Sequence, residues 1–158
     1  MPYIALAIGI VLAVIDQVIK YLVVANIDEN QVVPVITNVL NFTHIHNEGV
    51  AFGMFYGMRW IFVALTLVLL VAIIGIMFKK RPNGKMFYVS VALIVGGGIG
   101  NLIDRVFFGY VIDYISLSFF PPICNFADYC ITFGTALLMI YILFFSDYFK
   151  KEEENAKI

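Results

Sequence analysis

Four apolar stretches, about Tyr3 to Asn26, Trp60 to Phe78, Met86 to Phe107 and Ala127 to Phe149, constrain this chain more than any other feature. As helices rising 1.5 Å per residue, each matches a hydrocarbon core of about 30 Å. The second contains no charged residue at all. Composition agrees, because 62% of the 158 residues are hydrophobic and only 13% charged, whereas soluble domains hold about 45–50% and about 25%. A water-soluble fold could not hide that much apolar surface. The expectation is an all-α membrane protein, a bundle of four transmembrane helices forming one domain over residues 1–158.

The loops give this bundle a direction. Lys79, Lys80, Arg81 and Lys85 crowd the link between the second and third spans with no acid among them, and such basic clusters stay in the cytoplasm. Both termini are then expected on the same side, where Lys150 and Lys151 follow the fourth span and Glu152 to Glu154 read as a solvated tail over 150–158. The first apolar run has no preceding Lys or Arg and no small-residue cleavage site after it, so it is expected to remain as a span. A net charge of -1 without a basic stripe leaves nucleic-acid binding unsupported.

Two segments are left on the outer side. In 27–59, Val32 to Ile36 and Val39 to Ile45 are β-branched runs separated by Thr37-Asn38, predicting a small extracytoplasmic sheet resting on the bilayer. The segment 108–126 is too apolar for a solvated loop and too broken by Pro121 and Pro122 for a span, so it is expected as an interfacial loop.

Polar groups at membrane depth are costly and mark candidate chemistry. They gather at the outer end: Asp16, Gln17 and Lys20 in the first span, Asn101, Asp104 and Arg105 closing the third, then Asp113, Asn125 and Asp128. Asp16 and Lys20 have the i, i+4 spacing of an intrahelical ion pair, and Lys20 could also snorkel outward. Asn101, Asp104 and Arg105 share a helix side, where an Asp104–Arg105 contact or a partner on the first span would satisfy them. These read chiefly as structural. Asp113 has neither a cation nor an obvious donor among its neighbours. Asp128 has a local explanation in helix chemistry, with Asn125 as N-cap and an acid in the first turn. Brought together in a poorly hydrated site, however, two carboxylates share one proton, and one can act as base while the other acts as acid on a water.

Other constellations are weaker. His44 and His46 alternate on a strand and, with Glu48, could ligate zinc, but no HExxH motif is present and polar surface is the blander reading. Cys124 or Cys130 paired with a histidine lacks anything to orient it. Gly96, Gly97, Gly98 and Gly100 include a GxxxG spacing that suits close helix packing. An ion-coupled transporter would place its charges near the midplane on repeated broken helices, and no repeat is visible. A non-catalytic assembly factor is the third class.

The ordered motifs resemble those of the lipoprotein signal peptidases, or signal peptidase II, a bacterial family. They are Asp16-Gln17-x-x-Lys20, Asn47-Glu48-Gly49-Val50-Ala51-Phe52, Gly100-Asn101-Leu102-Ile103-Asp104-Arg105, Val111-Ile112-Asp113-Tyr114 and Asn125-Phe126-Ala127-Asp128-x-x-Ile131. The resemblance implies an aspartic endopeptidase of the bacterial plasma membrane that removes signal peptides from prolipoproteins, cutting before a diacylglyceryl-modified cysteine. It implies Asp113 and Asp128 as the catalytic dyad, with Asp16, Lys20, Asn47, Gly49, Asn101, Asp104, Arg105 and Asn125 binding substrate or bracing the pair. It further implies an outer sheet forming a cradle with a flap after it, no metal or organic cofactor, membrane lipids as surroundings and a monomer. Val50 and Gly98 stand where the family more often has Ala, and the interval between the two aspartates is short.

Overall fold

A computed structural model describes residues 1–49 and 58–145. Four helices cover the expected spans: α1 Pro2–Asn26, α2 Arg59–Lys80, α3 Lys85–Phe107 and α4 Phe126–Phe145. All four are long and apolar enough to cross a membrane. Each bound falls within two residues of expectation, apart from the end of the fourth span, where 146–149 lies outside the described residues together with Lys150, Lys151 and the acidic tail. The helices carry many exposed large apolar side chains, such as Ile8, Val11, Val68, Val71 and Phe144, the surface that hydrocarbon would cover.

α3 is the central helix, and its glycines show why. A Cβ on Gly96 would meet Leu12 and the Gly9 carbonyl of α1, and one on Gly97 would meet the Ala127 carbonyl of α4. At Gly98 the neighbour would be Leu70 of α2, and at Gly100 the Asp16 carboxylate of α1. Four small residues within five positions therefore let three helices approach one, with backbone close to backbone. The cluster of Ala5, Leu70, Met77, Phe87, Val91, Ala92, Val95 and Tyr141 fills the space toward the other end of the bundle.

The sheet is larger than the sequence suggested. β1 Val32–Ile36 and β2 Leu40–Asn47 form the expected hairpin, turning at Asn38 with φ 59°. The segment expected as an interfacial loop instead folds into β3 Val111–Leu117 and β4 Phe120–Cys124, giving an antiparallel sheet in the order β1-β2-β3-β4. The physical reason lies in the edges. Pro121 and Pro122 break a helix, yet proline is tolerated in an edge strand that need not donate on its outer side, and Pro34 occupies the opposite edge in the same way. Because β1–β2 links α1 to α2 and β3–β4 links α3 to α4, the sheet sits at one end of the bundle, where α1 and α3 finish and α2 and α4 start. Pairing of β2 with β3 slips between Phe42 and Ile45, a bulge beside Asp113.

Candidate active site

The costly polar residues meet at the end of the bundle that carries the sheet, in two groups. The first is centred on Lys20. Rather than snorkelling outward, Lys20 is 1% exposed, and its Nζ reaches Asp16 Oδ2 at 2.8 Å, Asp104 Oδ2 at 2.8 Å and Asn101 Oδ1 at 2.9 Å. Three acceptors for three ammonium hydrogens leave none unpaired. The carboxylates are completed by other donors: Asp16 Oδ1 accepts the Ala127 N–H at 3.0 Å, Asp104 Oδ2 accepts the Ile112 N–H at 3.2 Å, and Asp104 Oδ1 accepts Gln17 Nε2 at 2.9 Å. The expected i, i+4 pair is thus present but forms only part of a network tying α1, α3, β3 and α4 together. Asp104 pairs with Lys20 rather than with Arg105, which is half-buried and donates from Nη1 to the Asn101 carbonyl at 3.3 Å.

The second group holds Asp113 and Asp128. α4 opens with a capping box, in which Asn125 Oδ1 accepts the Asp128 N–H at 2.9 Å while Asp128 Oδ2 accepts the Asn125 N–H at 3.1 Å. This was the local reading of both residues, and it holds, but it uses only part of each. Asn125 Nδ2 also donates to Asp113 Oδ1 at 2.6 Å, so one asparagine touches both aspartates. Asn47 Nδ2 donates to Asp113 Oδ2 at 2.7 Å, and Asn101 Nδ2 donates to Asp128 Oδ1 at 2.8 Å. The donors that Asp113 lacks in its own segment therefore arrive from β2 and from the start of α4. Gly49 is buried, its N–H donating to Asn47 Oδ1 at 3.0 Å, which turns the Asn47 amide nitrogen toward Asp113. The rest of that motif, Val50 to Phe52, and the expected flap lie outside the described residues.

Among the described residues no side-chain ion pair reaches Asp113, which is 3% exposed. Burial first, and the Asp128 charge second, push its carboxyl up to about 7, while the amides of Asn47 and Asn125 and the more distant Lys20 pull the other way. Arg105 interacts electrostatically with Asp128 and Asp113 as well as Asp104. Asn101 joins the two groups, since its oxygen takes a hydrogen from Lys20 while its nitrogen gives one to Asp128. Such a pair, with Asp113 buried, Asp128 half-buried and both fixed by amides, can hold one proton between two carboxylates and so take a proton from water while giving one to a leaving group.

Tyr114 was not singled out from sequence, yet it is buried and its hydroxyl accepts the Phe126 N–H at 3.1 Å, fixing β3 to the start of α4. Burial raises its phenol, which therefore stays neutral. Its sequence signal was its place after Asp113, closing the motif Val111-Ile112-Asp113-Tyr114. Cys124 is no thiolate, because burial pushes it up to about 11. Among the described residues no group of three His, Cys, Asp or Glu side chains is arranged to hold a metal, and the carboxylate near His46 is Glu29 rather than Glu48.

Known proteins share this arrangement of helices and strands. Residues 8–144 match the family described as signal peptidase (SPase) II. A lipoprotein signal peptidase of Halothermothrix orenii is 39% identical over 142 residues, covering 90% of this chain and 94% of the relative. One from Clostridium acetobutylicum is 36% identical over 151 residues, with 93% and 96% covered. A solved bacterial membrane enzyme, determined in meso at 2.3 Å, superposes with a TM-score of 0.82 at 32% identity, covering 88% of this chain and 87% of its own. A second, determined in meso at 1.9 Å, gives 0.81 at 31% identity, with 90% and 94% covered. With a family model spanning most of its length, this multi-pass membrane chain belongs to the signal peptidase II family, the lipoprotein signal peptidases, and is an aspartic-type peptidase.

Proposed function

We propose that this chain removes signal peptides from prolipoproteins by cutting the peptide bond before a diacylglyceryl-modified cysteine, with Asp113 and Asp128 as the catalytic pair. The observation that carries the reading is the single asparagine, Asn125, whose side-chain amide donates to the buried Asp113 carboxylate and whose backbone N–H donates to that of Asp128, where the Asp113 carboxyl is raised to about 7. In this reading the pair enters with one proton. Asp128 takes a proton from the attacking water and Asp113 donates its own toward the scissile carbonyl. The proton then passes to the leaving nitrogen as the tetrahedral species collapses. Two carboxylates suffice for this chemistry, so no metal or organic cofactor enters it.

The supporting residues divide by what they touch. Asn47, Asn101 and Asn125 hold the carboxylates; Gly49 orients Asn47; Asp16, Lys20 and Asp104 fix the helices that carry them. Arg105, half-buried and within electrostatic reach of both aspartates, offers further donors for substrate carbonyls. The basic loop after α2 supports a cytoplasmic position for both termini and the opposite, extracytoplasmic side for the site, in one membrane domain of the bacterial plasma membrane. A monomer suffices, since every residue of the pair and its supports comes from one chain.

Mass spectrometry of a model prolipoprotein incubated with the purified protein tests the assignment, with the diacylglyceryl group present or absent. A product beginning at the modified cysteine, formed only from the lipidated substrate, is the expected result. A cut elsewhere, or equal cutting of the unlipidated peptide, would overturn the proposed specificity.

A further inference from the structure

Where α2 begins beside the end of α3, six residues line a cavity of about 350 Å³: Glu48, Arg59, Trp60, Phe108, Gly109 and Tyr110. None of them belongs to the aspartate pair or to the side chains that hold it. Arg59 is half-buried, and its Nη2 donates to the Val106 carbonyl at 2.6 Å, closing the last turn of α3. Gly109, at φ 94°, leaves the guanidinium room, since a Cβ there would stand 3.1 Å from Nη1. A guanidinium carries five N–H donors. The Val106 carbonyl takes one, while Nε is buried with no acceptor. The Trp60 ring lies 4.8 Å from the guanidinium carbon and covers its face, which leaves the in-plane hydrogens unmet. Among the described residues no carboxylate forms an ion pair with Arg59. Burying donors without acceptors is costly, and an anion with several oxygens in the cavity offsets that cost.

The depth of the cavity says which anion. Arg59 is the first residue of the 22-residue α2, whose length of about 33 Å matches the hydrocarbon core, so the cavity lies where hydrocarbon meets the headgroups. Trp60 and Phe108 are exposed at its rim, and Trp and Tyr favour that level of a bilayer. The occupant therefore has a polar head and apolar tails. Glu48, exposed on another wall, sets the charge of that head. It repels a purely anionic group and attracts an ammonium. We propose that this cavity binds the headgroup of a zwitterionic phospholipid of the phosphoethanolamine type, in the leaflet on the side of the sheet. The phosphate sits on Arg59 and the ammonium on Glu48, and the acyl chains run down the exposed start of α2 past Ile61 and Leu65. A bound headgroup would join the end of β2, one residue after Asn47, to the start of α2.

Native mass spectrometry of the delipidated full chain in detergent micelles tests the site, with phosphatidylethanolamine, phosphatidylglycerol or inorganic phosphate added. One phosphatidylethanolamine retained per chain, in preference to phosphatidylglycerol, is the expected result, with retention about fivefold lower in Arg59→Gln. Inorganic phosphate should not displace it, because the acyl chains also hold the lipid. Arg59 braces the end of α3, so the thermal transition is the folding control for that variant. Glu48→Gln alters only an exposed side chain, and there the preference between the two lipids should vanish while retention persists. No stoichiometric lipid, or retention unchanged in folded Arg59→Gln, would overturn the site. Equal retention of both lipids by the unaltered chain would overturn the pairing with Glu48, and displacement by phosphate would overturn the lipid as occupant.

Discussion

Two carboxylate pairs lie at the same end of this bundle, and their surroundings differ in one respect. Asp16 and Asp104 share the ammonium of Lys20 at 2.8 Å each. Asp113 and Asp128 share an asparagine. A shared ammonium offsets one of the two buried charges and hydrogen-bonds both carboxylates, turning them into a clamp that holds α1, α3 and α4 together. Amides supply hydrogen bonds but no charge, and among the described residues no cation forms an ion pair with the second pair, Arg105 acting on it only electrostatically, so it keeps a demand for a proton. Membrane-depth acids therefore sort into structure and chemistry by whether a cation is aimed at them, which their position in the sequence alone does not reveal.

The comparison breaks if the two pairs respond alike to mutation. Asp113→Asn or Asp128→Asn should lower kcat on lipidated substrate by about 10²–10⁴-fold. Asp113→Asn should also change the thermal transition in detergent only slightly. The raised carboxyl means that the charged form costs stability above the ordinary carboxylate range and a neutral amide removes that cost, against which one accepting oxygen becomes a donor facing Asn47 or Asn125. Lys20→Met should instead destabilise by about 3–5 kcal/mol, since it strands two buried carboxylates, and the same thermal measurement reads it. Equal stability losses in both variants would end the distinction.

Smaller effects sharpen it. Gly97→Ala drives a methyl into the Ala127 carbonyl, backbone that cannot move aside, and should cost about 1–3 kcal/mol and separate Asp128 from Asn101. Gly98→Ala meets only the end of the Leu70 side chain and should cost less, so denaturation midpoints of the two variants can be set side by side. Removing the Asn47 amide with Asn47→Leu takes away a hydrogen bond that lowers the Asp113 carboxyl, and the alkaline limb of kcat/KM should move to higher pH.

Much of this was legible in the chain. Span length is a local property, and so is the i, i+4 relation of Asp16 to Lys20; both appear in the structure as read. The direction of Lys20 was not legible, because Asp104 and Asn101 on another helix decide it. β3 and β4 were missed because Val111 to Tyr114 is buried on both faces, which hides the alternation of a strand, and because two prolines look like a break rather than an edge. The resemblance marked Asn47 and Asn125, but that they converge on Asp113 from separate elements is a tertiary fact.

The central claim, that Asp113 and Asp128 work by sharing one proton, is tested most directly by the pH dependence of kcat/KM for a lipidated substrate. The pair holds its proton below about 7 and loses it above, so the rate should fall as pH rises through that value. A rate that stays level or climbs across the same range would contradict it.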